Sequence, residues 1–193
     1  ALDDAGKVAF LLLAPPAILA GLFADRALGV WLGQDFASHA VEIVRLLVVA
    51  VFLNGLAQVP SAYLQAIGRP DLTTKLLALQ VAPYLAAVTV LAGTYGAVGA
   101  AAACALRSGV DLLLLLGAAN RLSPPVSGQR LPAAIALVAL VLAALIPVHW
   151  PVPVLLVAAL ILLAGFAGTC WLFLLRDDER TRLAARIRHR LAR

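Results

Sequence analysis

Two charged residues stand one helical turn apart in sequence that is otherwise uncharged: Arg107 and Asp111, within the segment 98–120. A charge held at the centre of a bilayer costs from ~2.5 kcal/mol upward, so such a pair has to do something. Three chemistries fit. The two side chains neutralise each other and pin their helix to a neighbour. Alternatively Arg107 presents its planar fork to an anionic ligand group while Asp111 holds it in place. In the third, Asp111 is a proton or sodium site. A second set lies earlier in the chain, where Asn54, Gln58, Ser61 and Gln65 recur at spacings of four, three and four inside the uncharged run 46–68. On a helix these four share one narrow face. An unpaired polar group facing lipid costs several kcal/mol, so the stripe must meet other helices or line something wet. Gln80 and Tyr84, one turn apart beside Pro83, add a third polar pair.

Glu42 and Arg45 lie three apart near the outer end of the stripe's own helix, a spacing that suits a local ion pair at the rim. Nine residues separate Arg45 from Asn54, which at about 100° per residue places Arg45 opposite the stripe.

The elements that carry these residues follow from composition. Hydrophobic residues make up 63% of 193 residues and charged residues only 13%, with a mean hydropathy of +0.99. Soluble domains are nearer ~25% charged, so the class is an all-α polytopic membrane protein. The apolar runs are solid rather than alternating, which excludes a β-barrel. Six spans are expected. Helix 1 covers roughly 5–23 with Pro15-Pro16 as a kink, and a short link over 25–36 carries Trp31. Helix 2 covers 40–67 with Pro60 as a second kink. A charged loop at 69–75 follows, then helix 3 over 76–92. A glycine turn through Gly93, Gly96 and Gly99 leads to helix 4 over 98–121. The uncharged stretch 131–175 is the right length for helices 5 and 6, turned at Pro147, Pro151 and Pro153 and set at the bundle periphery. Residues 1–175 thus form one six-helix transmembrane unit, and 176–193 a basic amphipathic tail suited to an anionic leaflet.

Lysine and arginine placement orients the chain. Lys7, Arg69, Lys75, Arg121, Arg130 and the seven arginines of the tail fall on one side, and Arg26 alone on the other. Both termini are therefore expected in the cytoplasm. The net charge of +5 resides mostly in the tail, a membrane-surface pattern rather than a nucleic-acid footprint. The first apolar segment lacks a signal-peptide cleavage site, and a chain that opens on Ala1 and contains no Met reads as the interior of a longer protein. Cys104 and Cys170 read as small apolar residues within helices.

Enzyme chemistry is thinly represented. His39, His149 and His189 are scattered through loops and tail, so no metal site or cofactor is expected. Membrane transferases of phosphate-linked sugars need clustered carboxylates to hold Mg²⁺, and none is present beyond the isolated pairs Asp3-Asp4 and Asp177-Asp178.

Three motifs occur in a telling order: Leu64-Gln65-Ala66-Ile67-Gly68-Arg69-Pro70, then Tyr95-Gly96-Ala97-Val98-Gly99-Ala100-Ala101, then Leu106-Arg107 with Asp111. With Leu28-Gly29-Val30-Trp31-Leu32-Gly33 before them, they resemble the C-terminal half of polysaccharide flippases in the multidrug/oligosaccharidyl-lipid/polysaccharide exporter superfamily, over roughly residues 8–122. The resemblance implies a second six-helix lobe that works against an absent N-terminal six-helix lobe around a central cavity. It further implies movement of polyprenyl-diphosphate-linked oligosaccharide across the bacterial cytoplasmic membrane by alternating access. On that reading Asn54, Gln58, Ser61, Gln65, Gln80, Tyr84 and Arg107 contact substrate, while Asp111, Glu42 and Arg45 serve as coupling or charge partners. Neutral amides suit sugar hydroxyls and an arginine suits diphosphate or uronate. The partners implied are the lipid-linked oligosaccharide and the phospholipid bilayer. A multidrug or cation exporter of the same superfamily is the nearest alternative, and a non-catalytic membrane scaffold subunit the other.

Overall fold

A computed structural model describes residues 2–122, all but a few of them helical. Helix α1 is Leu2–Leu32 and α2 is Gln34–Ala66. The run Pro70–Leu122 has helical backbone on both sides of Gly96, where φ is 61° and ψ is −138°. It is therefore two helices, α3 over 70–95 and α4 over 97–122. Straight, its 53 residues would reach about 80 Å at ~1.5 Å per residue, far more than a ~30 Å hydrocarbon core. Folded back at Gly96, it supplies two spans of ordinary length. The described chain is thus four apolar helices, and all its candidate membrane segments are long enough to cross. It is a multi-pass helical membrane protein. Helices 5 and 6 and the basic tail lie outside the described residues.

Helix α2 is the centre of the assembly, packing on α1 along one side and on the α3–α4 pair along the other. Phe10, Ala14, Ile18 and Leu22 recur every fourth residue on α1 and meet Phe52, Leu53, Leu56, Ala57 and Leu64 of α2. The Phe10 and Phe52 rings meet edge to face with centroids 6.2 Å apart. Leu112 and Leu115 of α4 complete this cluster. Small residues bring α4 close to its neighbours: Gly99, Ala101 and Ala103 are buried, and Leu53 Cδ1 lies 3.7 Å from where a side chain on Gly109 would begin.

Three expected boundaries move, and at one of them the glycine turn expected between 92 and 98 closes to Gly96 alone. The link over 25–36 is mostly helix, since α1 runs on to Leu32 and the break is Gly33 alone, at φ 90°. Asp25 and Arg26 carry charge, yet charge does not end a helix and nothing else in 24–32 does. The loop expected at 69–75 shrinks to 67–69, because Pro70 opens the next helix. Proline suits a first turn, whose N–H would be unbonded anyway. Asp71 complements the dipole there and pairs with Lys75 Nζ at 3.4 Å. Pro15, Pro16, Pro60 and Pro83 all sit inside helices that continue past them. None opens its helix, a tolerance that neighbouring helices give prolines in membrane segments.

Candidate functional site

The polar stripe of α2 divides. Asn54, Gln58 and Gln65 are exposed, while Ser61 is buried at 9% exposure. The division follows from angle. The buried face of α2 is centred near Leu53, Leu64 and Pro60, and Ser61 is the stripe residue closest to it at about 100° per residue. Ser61 is not stranded, since Gln65 Nε2 donates to its Oγ at 3.3 Å. The three amides thus form an exposed row along an apolar helix, with Ser61 at its inner margin. Arg45, on the opposite face, is buried. The carboxylates whose field reaches it are Asp25 of α1 and then Glu42. Glu42 itself is exposed. Asp25 is not legible as a partner in sequence, because it depends on α1 docking beside α2.

The α3–α4 pair brings the remaining candidates together in an arrangement different from the expected one. Gln80 and Asp111, 31 residues apart, meet across the hairpin, with Gln80 Nε2 donating to Asp111 Oδ1 at 2.9 Å. Both side chains are buried, at 4% and 8% exposure. One turn away on each helix, the guanidinium of Arg107 lies over the Tyr84 ring, 5.1 Å from its centroid. That distance is within cation–π range. Arg107 is exposed and Tyr84 half-buried. The pairing of Arg107 with Asp111 offered by their spacing is replaced: among the described residues no ion pair joins them. The physical reason is angular. Residues four apart share a general face, but here Asp111 turns into the hairpin toward an amide donor while Arg107 turns out onto a ring. Sequence carries a signal for this in the 80/84 and 107/111 spacings, which match in an antiparallel register centred near Gly96.

The site is therefore a pair of tiers. The outer tier holds a cation with free N–H groups on an aromatic face. The inner tier holds a buried carboxylate on an amide. Among the described residues no group of three His, Cys, Asp or Glu side chains could hold a metal ion. Cys104, half-buried on α4, is a free thiol.

Comparison with known proteins adds one finding. Over 106 residues the chain is 31% identical to a Shigella flexneri protein described as "Putative O-antigen transporter". The match takes in 55% of this chain and 25% of that relative, so the chain spans about a quarter of the length of the curated protein it matches. No family model matches, and no solved structure does. The relative supports the resemblance to polysaccharide exporters carried by the motifs at 64–70, 95–101 and 106–111.

Proposed function

We propose that the chain forms one lobe of a transporter that moves polyprenyl-diphosphate-linked oligosaccharide across the bacterial cytoplasmic membrane. The observation that carries this reading is the exposed row Asn54, Gln58 and Gln65 on a 33-residue apolar helix. Such amides are costly against lipid and well matched to sugar hydroxyls. Arg107, exposed and held over Tyr84, supplies the anion-binding element that a diphosphate or uronate requires. The related O-antigen transporter adds a substrate class of that kind. In this reading the chain is the second lobe, facing a first six-helix lobe across a cavity, and transport proceeds by alternating access. A cationic guanidinium in the cavity disfavours cationic drugs as cargo, which separates this reading from the multidrug alternative.

Two labelling experiments test the arrangement in the protein as it occurs in the cell. Single cysteines at Asn54, Gln58 and Gln65 are expected to react with a water-soluble maleimide, and cysteines at Leu56, Ser61 and Leu64 to resist. Resistance at all six positions would mean a dry helix interface and would defeat the cavity. For orientation, cysteine at the exposed Gln34 is expected to react with an impermeant reagent from outside. Cysteine at the exposed Thr74 should react only after the membrane is opened. The reverse pattern would place the α2–α3 turn outside and overturn the cytoplasmic assignment.

A further inference from the structure

The two ends of the helix bundle differ in chemistry. At the end formed by the α2–α3 turn and the last turn of α4, the exposed residues include Arg69, Asp71, Lys75 and Arg121. The opposite end holds the α1–α2 turn, where no lysine or arginine occurs between 27 and 44. Its exposed side chains include Leu32, Phe36 and, at 91% and 82% exposure, Val30 and Trp31. This apolar tip also projects beyond its neighbours. Leu53 of α2 and Gly109 of α4 lie side by side, which sets these two parallel helices to a common height. From that level α2 extends about 28 Å back to Gln34, whereas α4 extends only about 20 Å back to Gly96, at ~1.5 Å per residue. In the other direction Ala66 and Leu122 are both about 20 Å away. The charged ends are therefore flush, and the α1–α2 tip stands ~8 Å beyond the α3–α4 turn.

We propose that this tip is a membrane anchor whose partner is phospholipid, with Val30, Trp31, Leu32 and Phe36 seated in the headgroup layer where it meets the acyl chains. Length carries the assignment first. The 33 residues of α2 extend ~50 Å. A bilayer is about 40–45 Å thick with both headgroup layers included, so a helix of this length, tilted by ~20°, reaches from one layer into the other. Side-chain chemistry agrees, since a tryptophan ring with one polar N–H suits that boundary. Tyr95, exposed at the α3–α4 turn, adds a second such ring at the same end. Asp25 and Arg26, about 8 Å below Trp31, then fall at the edge of the hydrocarbon, where a charged group still reaches water. A protein fits the tip less well. The four side chains offer roughly 500 Å², against the ~800 Å² per partner of a stable interface. Between 27 and 41 only Asp35 and His39 are titratable, too little charge to draw a charged partner. The anchor also sets the depth of the amide row. Asn54 stands ~27 Å below Phe36, past the midplane, and Gln65 ~44 Å below it, in the opposite headgroup layer.

The anchor depends on neither cargo nor transport, so its failure would leave the proposed function standing. The test places a bimane fluorophore on a cysteine at Val30 of the full-length protein, with its other cysteines replaced, in phosphatidylcholine vesicles. Spin labels at carbon 5 of the acyl chain lie near the headgroups and those at carbon 12 near the bilayer centre. The carbon-5 label is expected to quench the fluorophore about twofold more strongly than the carbon-12 label. Iodide in the water is expected to quench it less than about half as well as the same fluorophore at the exposed Thr74, on the charged end. Iodide quenching equal to that at Thr74, with none from either lipid label, would put the tip in water and overturn the anchor. Stronger quenching from carbon 12 would put it in the hydrocarbon core, and protection from all three quenchers would put it under protein. Either result overturns the anchor as well. Phe36→Cys, labelled in the same way, supplies the same readings should Val30→Cys accumulate poorly.

Discussion

Replacing Arg107 by Ala is expected to lower polymer export about ten- to a hundred-fold while leaving the amount of protein in the membrane unchanged. The magnitude follows from the charge-assisted hydrogen bonding that the guanidinium offers an anionic group. A hydrogen bond to a charged group contributes about 1.5–3 kcal/mol, and about 1.4 kcal/mol is a factor of ten. The retained abundance comes from the structure. Arg107 is exposed and touches Tyr84, so its removal strands no buried charge. Had it been the counter-ion of Asp111, truncation would cost ~3–5 kcal/mol of stability instead. The conservative variants separate the parts. Arg107→Lys keeps the charge but loses the bidentate fork and should recover only part of the export. Tyr84→Phe keeps the ring face and should behave as wild type, whereas Tyr84→Leu removes a cation–π interaction of about 0.5–2 kcal/mol and should fall between. Complementation of a strain lacking its own O-antigen transporter, with immunoblots of the membrane fraction, checks all four. Full export by Arg107→Ala would remove the residue from the substrate path.

The second large effect is on folding. Gly99→Val is expected to prevent the α3–α4 hairpin from closing, with a cost at or above the upper end of overpacking, about 3 kcal/mol. A Cβ on Gly99 would collide with the Leu91 carbonyl, and because that obstacle is backbone it cannot rotate away. Gly96 fails for another reason. Its surroundings are open, but φ 61° with ψ −138° lies in a region that side chains rarely enter, at ~1–3 kcal/mol. Gly93, inside α3 with open space around it, is the control: Gly93→Ala should be neutral or slightly stabilising, since alanine is the better helix former. Thermal unfolding in detergent ranks the three. A Gly99→Val protein as stable as Gly93→Ala would mean that the two helices do not approach at Gly99.

What can be read from the chain without coordinates is what depends on local chemistry. The class follows from long uncharged runs, because no other structure satisfies a backbone in lipid except helices and closed barrels. The reversal at Gly96 can be placed from three glycines in seven residues, and the amide row from its spacing, because helical angle is a property of sequence position alone. Boundaries are less legible where charge resembles a stop, as at 25–36 and 69–75. A charged residue changes the surroundings a helix prefers, while glycine and proline change whether its backbone can continue.

Partners, by contrast, belong to the tertiary structure. Spacing alone allows Arg107 to pair with Asp111, and equally allows both to look elsewhere. Only the closed hairpin decides, setting position 80 against 111 and 84 against 107, so that the carboxylate receives an amide and the guanidinium a ring. The same holds for Arg45, where the carboxylate whose field reaches it most, Asp25, comes from another helix. A helix determines which side chains share a face. What that face meets is set by the approach of a second backbone, through small residues such as Gly99 and Ala103 whose effect on register has no local signature.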